Sequence, residues 1–319
     1  MSLSTWAVRC VAVGAVFGIS SQLGIAQNVP STDLSKYVGI QEPPRPVGED
    51  FVRKADWKRL DALIEWLTAS NALELDGRPR LQIVMDNIQG YLQTLPPDQD
   101  DALQKGLQDY RAQIPNSAFV TVLSAMRWGA QGWRALGTDE TAGAPPESQK
   151  FFRDRYRRAW DVLRKERSTA SRIPAWYAEA IDVGFNAEIP LSEISAIFDE
   201  GLKKNPDLLP LYFGMLRAYS PHWGGDYSDA DRFIRIQTDS DRNPRGDELY
   251  ARLYWSLDQW GNGDPKFFEE SKVNWPRMRA GFDLMMQRYP TSLHNKSSFA
   301  AYACRAHDAT TFRLSLIHI

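Results

Sequence analysis

The residues best placed to do chemistry fall in one turn, Pro221-His222-Trp223-Gly224-Gly225-Asp226. An imidazole, an indole and a carboxylate so close together can line a ligand groove, and turns on a rigid scaffold often carry function. His222, Trp223 and Asp226, with Tyr250 on the helical run that follows, are the candidate ligand- or partner-binding residues. The competing reading is architectural and comes first. In it Trp223 plugs between two helices, and Gly224 and Gly225 supply backbone angles closed to other residues.

Other constellations carry less. Asp239-Ser240-Asp241-Arg242-Asn243 opens like a calcium loop. Pro244 stands where such a loop needs Gly, and Tyr250 where it needs a bidentate Glu. The segment reads instead as a helix-capping turn, with Pro244 at a first helical position. Cys304 and His307 share one helix face, yet only His222 and His294 stand elsewhere in the body of the chain, so no zinc-type set forms. No metal and no cofactor is expected. A basic stretch runs through Arg153, Arg155, Arg157, Arg158, Arg164, Lys165 and Arg167, interleaved with Phe151, Tyr156 and Trp160. Such a stretch can meet an anionic surface. Asp154, Asp161 and Glu166 dilute it, so it reads as a solvated helix face. Carboxylates are plentiful, but no spacing singles out a glycosidase-like pair. Phosphate loop, nucleophile elbow, zinc-protease helix and dinucleotide fingerprint are all missing.

The 319 residues carry a formal net charge of −2, which argues against a dedicated nucleic-acid binder. Aromatics at 12%, with 11 Trp, point to a folded core. Residues 1–26 read as a cleaved export signal: Arg9, an apolar run Cys10–Ile19, then Gly24 and Ala26 at the small-residue positions. The run is too short for a permanent span. The chain is therefore expected to be periplasmic or secreted. Cleavage would remove Cys10 and leave Cys304 alone, so the fold is expected to rest on packing without a disulfide. The last residues, Leu314–Ile319, read as the translation of a transposase-library adapter, with the natural sequence running on past Arg313.

The elements that must position these residues are helices. Residues 27–48 form a Pro-rich leader, and 49–138 an N-terminal helical region. Its expected helices are Glu49–Ser70, Leu81–Leu95, Asp98–Ile114 and one capped by Asn116 and running to Leu136. Gly137–Pro146 reads as a linker around 139–146. From 147 to 313 the helical runs pair, with Leu208–Tyr219 against Ser228–Thr238 and Arg245–Trp260 against Asn274–Tyr289. A third first-helix begins near Ser292. No strand pattern of comparable length appears, so the chain is expected to be all-α.

Four segments carry a family resemblance: LYFGMLRAYSPHWGG, YARLYW, WPRMRAGFDLMMQRYP and FAAYACRAHD. The chain resembles the bacterial domain-of-unknown-function family 4034 over roughly residues 116–313. That resemblance implies tetratricopeptide-like helical hairpins in an α-solenoid. It implies no activity, substrate or catalytic residue. The family's usual Pro-Arg-Trp-Gly-Gly is Pro221-His222-Trp223-Gly224-Gly225 here, so His222 is a departure. The function expected is a non-enzymatic exported module that binds another envelope protein or a peptide, with no nucleic-acid partner. The alternative is a hydrolase using carboxylates or His222 in an interhelical cleft. Because the repeat pattern breaks off after Arg313, an apolar face of Phe299 and Tyr302 is expected to lie partly uncovered.

Overall fold

The computed structural model describes residues 47–137, 143–240, 243–261, 263 and 266–317. The expected export signal and most of the Pro-rich leader lie outside them. The described residues are helical, with no strand among them and one isolated antiparallel bridge, Leu73 to Pro79. The all-α expectation holds. They divide into two compact units, one of residues 47–74 and 78–215, the other of 75–77 and 216–317.

The larger unit holds α1 (Val47–Arg53), α2 (Trp57–Ser70), α3 (Arg80–Thr94), α4 (Asp100–Gln113), α5 (Phe119–Leu136), α6 (Pro146–Lys165), a single turn α7 (Arg167–Ala170), α8 (Pro174–Asn186) and α9 (Leu191–Lys204). One expected helix is two. Ala55 takes φ 52°, and the Asp56 carboxylate accepts the Arg59 N–H to start α2 afresh. Asn116 is not the cap of α5. The helix begins at Phe119, and the Ser117 hydroxyl accepts the Val120 N–H at 3.3 Å.

Helix α5 is buried on nearly every side from Phe119 to Met126, as a central core helix must be. Helix α6 lays Phe152, Tyr156, Ala159 and Leu163 against it, and Phe152 meets Trp133 edge-on at 5.0 Å. Gly137–Pro146, read as a linker, thus joins two helices of one unit, and 138–142 lie outside the described residues.

Helix α10 (Leu209–Arg217) runs across the division between the units. The smaller unit holds α11 (Tyr227–Thr238), α12 (Asp247–Trp260), a short α13 (Phe267–Glu270), α14 (Trp275–Arg288), α15 (Leu293–Arg305) and α16 (Ala309–Ile317). Successive long helices pack on one another, α11 on α12, α12 on α14, α14 on α15 and α15 on α16. Three of the starts are chemically marked. Asp226, Asn274 and Ser292 cap α11, α14 and α15 through side-chain oxygens.

Phe299 and Tyr302 are not left open, contrary to expectation. They are 7% and 4% exposed. Phe282 stacks on Phe299 at 5.1 Å, and Phe267 and Phe268 reach Tyr302. Helix α16 adds Phe312 to a cluster with Ala300, Ala303 and Cys304. Cys304 is 1% exposed within that cluster, and Cys10 lies outside the described residues. Leu314–Ile317, read as adapter-derived, continue α16.

Candidate functional site

The turn after α10 is built from backbone constraints. Pro221–Trp223 make one 3-10 turn. The Trp223 and Gly225 N–H groups both donate to the Ser220 carbonyl at 3.0 Å. Gly224 takes φ 90°, where an L side chain is strained. Gly225 lies flat on Tyr219, and a Cβ there would collide with that residue's carbonyl carbon and oxygen. Asp226 accepts the Asp229 N–H at 2.8 Å, so its carboxylate is a helix cap rather than a free ligand contact.

Trp223 does not plug between helices. It is 38% exposed. The Arg217 guanidinium lies over its ring at 4.0 Å, and the His222 ring meets it edge-on at 4.6 Å. Three flat or planar groups therefore stand together at the surface of a tightly hydrogen-bonded turn.

Tyr250 belongs to the core. It is 1% exposed, its hydroxyl accepts the Asn274 N–H at 2.9 Å, and Arg277 covers its ring at 4.3 Å. Burial pushes its hydroxyl pKa up. It has almost no surface to offer a ligand. Among the described residues no contact joins it to His222 or Trp223.

The strongest electrostatic feature escaped the sequence reading. Glu248, on α12, is fully buried. Its Oε1 accepts from Arg245 at 2.9 Å and from Arg252 at 2.8 Å, and its Oε2 from Arg288 at 2.5 Å. Arg252 also donates to the Asp76 carbonyl. Burial alone would raise the Glu248 pKa, but Arg252 and Arg245 outweigh it and hold the carboxyl below its ordinary value. The available signal was Arg252 four residues after Glu248 on one helix face, with Arg245 three residues before it, just ahead of the helix. A second such knot joins Asp258 to the Tyr302 hydroxyl at 2.6 Å and to the Arg305 guanidinium. Carboxyl groups hydrogen-bonded on several sides in this way fix packing.

One carboxyl in the larger unit differs. Burial raises the Glu179 pKa well above the carboxylate range, and Asp182 beside it pushes the same way. Among the described residues nothing donates a hydrogen bond to it, and no group of three acidic, His or Cys side chains is arranged to hold a metal ion.

Comparison with protein-family models, curated proteins and solved structures finds no match. The site must be read from its own geometry. No described helix is long and apolar enough to cross a membrane.

Proposed function

We propose that this chain is a non-enzymatic, exported helical-repeat module that binds a protein or peptide of the cell envelope. The reading takes the chain as a tetratricopeptide-like solenoid of the family it resembles, family 4034. The observation that carries it is the His222–Trp223–Arg217 group. A large aromatic left 38% exposed on a rigid turn costs little to immobilise further on binding. Trp and Arg are also the side chains that most often anchor interfaces. Packed helix pairs, and Glu248 and Asp258 side chains held by arginines, support a scaffold more than a reaction centre.

The test is a peptide array drawn from envelope proteins, with hits titrated against the full chain. Bound peptides should lose affinity about tenfold or more with Trp223→Ala, as a truncated anchor does. Binding indifferent to Trp223→Ala and His222→Ala would count against the reading.

A second reading has one observation behind it. Glu179 keeps its proton to higher pH than an ordinary carboxyl, as a general acid must. In this reading the chain is a hydrolase with Glu179 as acid and Asp182 beside it. A panel of glycoside and ester substrates decides. Turnover abolished by Glu179→Gln supports it, and absence of turnover removes it.

A further inference from the structure

Helix α6 carries the basic stretch that the function above leaves unused, and on it two arginines stand apart. Arg155 and Arg158 lie at i and i+3, so they share one face. Both guanidiniums approach the same indole, Trp128 of α5, each at 5.2 Å. Arg127 covers that ring as well, at 4.9 Å. Three cations thus crowd one half-buried aromatic.

Their charge is poorly matched. Arg153 and Arg157 face Glu188, and Arg164 faces Asp161. Arg155 and Arg158 have no ion pair among the described residues. Two carboxylates act on Arg155 through charge alone: Asp100 is already shared by Arg127, Arg134 and Gln131, and Asp154 pairs with Lys150. The Arg155 Nε–H is buried with no acceptor, and so is that of Arg127. A buried donor without an acceptor costs about 1–3 kcal/mol. Burial, and then the neighbouring Arg158 charge, lower the Arg155 pKa. Phe151 lies under Arg155 at 4.3 Å and is 38% exposed, which gives the site an apolar rim.

We propose that Arg155, Arg158 and Trp128 form a binding site for a phosphate monoester, with its oxyanion on the two guanidiniums and its organic group against Phe151. A dianion matches two unpaired guanidiniums, whereas one carboxylate would leave a positive charge behind. Guanidinium also offers the paired N–H groups that fit tetrahedral oxyanions.

The experiment is calorimetric titration of the full chain with inorganic phosphate and with phenyl phosphate. Vesicles of equimolar phosphatidylcholine and phosphatidic acid form a third arm. Saturable binding should weaken about tenfold or more in Arg155→Gln and in Arg158→Gln, the loss of a charge-assisted hydrogen bond. Arg164→Gln, on the exposed face of the same helix, should bind as the parent does. The Arg155 Nε–H resonance should move with phosphate, which a packing role alone would not produce. Arg158 is exposed, so its variant keeps the test valid should Arg155→Gln fold poorly. Phenyl phosphate binding without vesicle binding assigns a free ester. Vesicle binding lost in Arg155→Gln assigns a lipid headgroup. No saturable binding in any arm, or equal losses in all three variants, overturns the proposal.

Discussion

The Arg217 guanidinium lies 4.0 Å above the Trp223 indole and joins the end of α10 to the turn that follows it. The contact orients an exposed ring without burying it. Pairs of this kind at exposed sites contribute about 0.5–1 kcal/mol. Arg217→Ala and Trp223→Ala should therefore each destabilise the chain by about 1 kcal/mol or less, with coupling of similar size in a double-mutant cycle. Urea unfolding measures all three. A loss of several kcal/mol for Trp223→Ala would mean that the indole is a core plug after all.

Gly224 and Gly225 are both needed, for different reasons. Gly224 sits at φ 90°, where a Cβ costs about 1–2 kcal/mol. Gly225 has an ordinary need for space, since a Cβ would strike the backbone of Tyr219, which cannot swing aside. A clash with rigid backbone should put Gly225→Ala at about 3 kcal/mol or more, so its thermal midpoint should fall below that of Gly224→Ala. Calorimetric midpoints that rank the two variants the other way would refute the close-approach argument.

How much of this was readable beforehand follows from range. Local signals were legible: Asn274 and Ser292 cap the helices expected to start there. The break at Ala55 was not, because it depends on Asp56 capturing the Arg59 N–H within an apolar stripe that continues past it. The burial of Tyr250 was hidden too, since it is set by Arg277 and Asn274 on another helix. The Glu248 knot draws Arg288 from far along the chain, and no spacing encodes that distance.

Glu248 makes a sharper prediction about stability. Three guanidiniums converge on it, and two of them, Arg245 and Arg252, are almost wholly buried. Removing one partner of a buried ionic group leaves the others uncompensated and typically costs about 3–5 kcal/mol. Glu248→Gln keeps the shape and removes the charge, so its unfolding free energy should fall by about that amount. Glu248→Gln combined with Arg252→Met should recover part of the loss. A single variant as stable as the parent would show that water already compensates the arginines.

Glu200 predicts a pH dependence in the larger unit. Its Oε1 accepts from the Tyr177 hydroxyl at 2.7 Å and from Lys204 at 2.9 Å, and Arg167 pairs with Oε2. The Tyr177 hydrogen bond and then Lys204 lower its carboxyl from 4.5 to about 2. The folded pKa is thus depressed, so the folded state favours the ionised form. The stabilisation is complete above pH 4.5 and is lost as pH falls toward about 2. The site is partly exposed, so salt should weaken it. Glu200→Gln cannot ionise, and its stability should fall less steeply across that window. Glu248 and Asp308 are depressed as well and titrate in the same acidic range. The difference between parent and variant urea curves, taken at successive pH values, isolates Glu200. A difference that does not change between pH 4.5 and about 2 would show that its hydrogen bonds hold the neutral acid equally well.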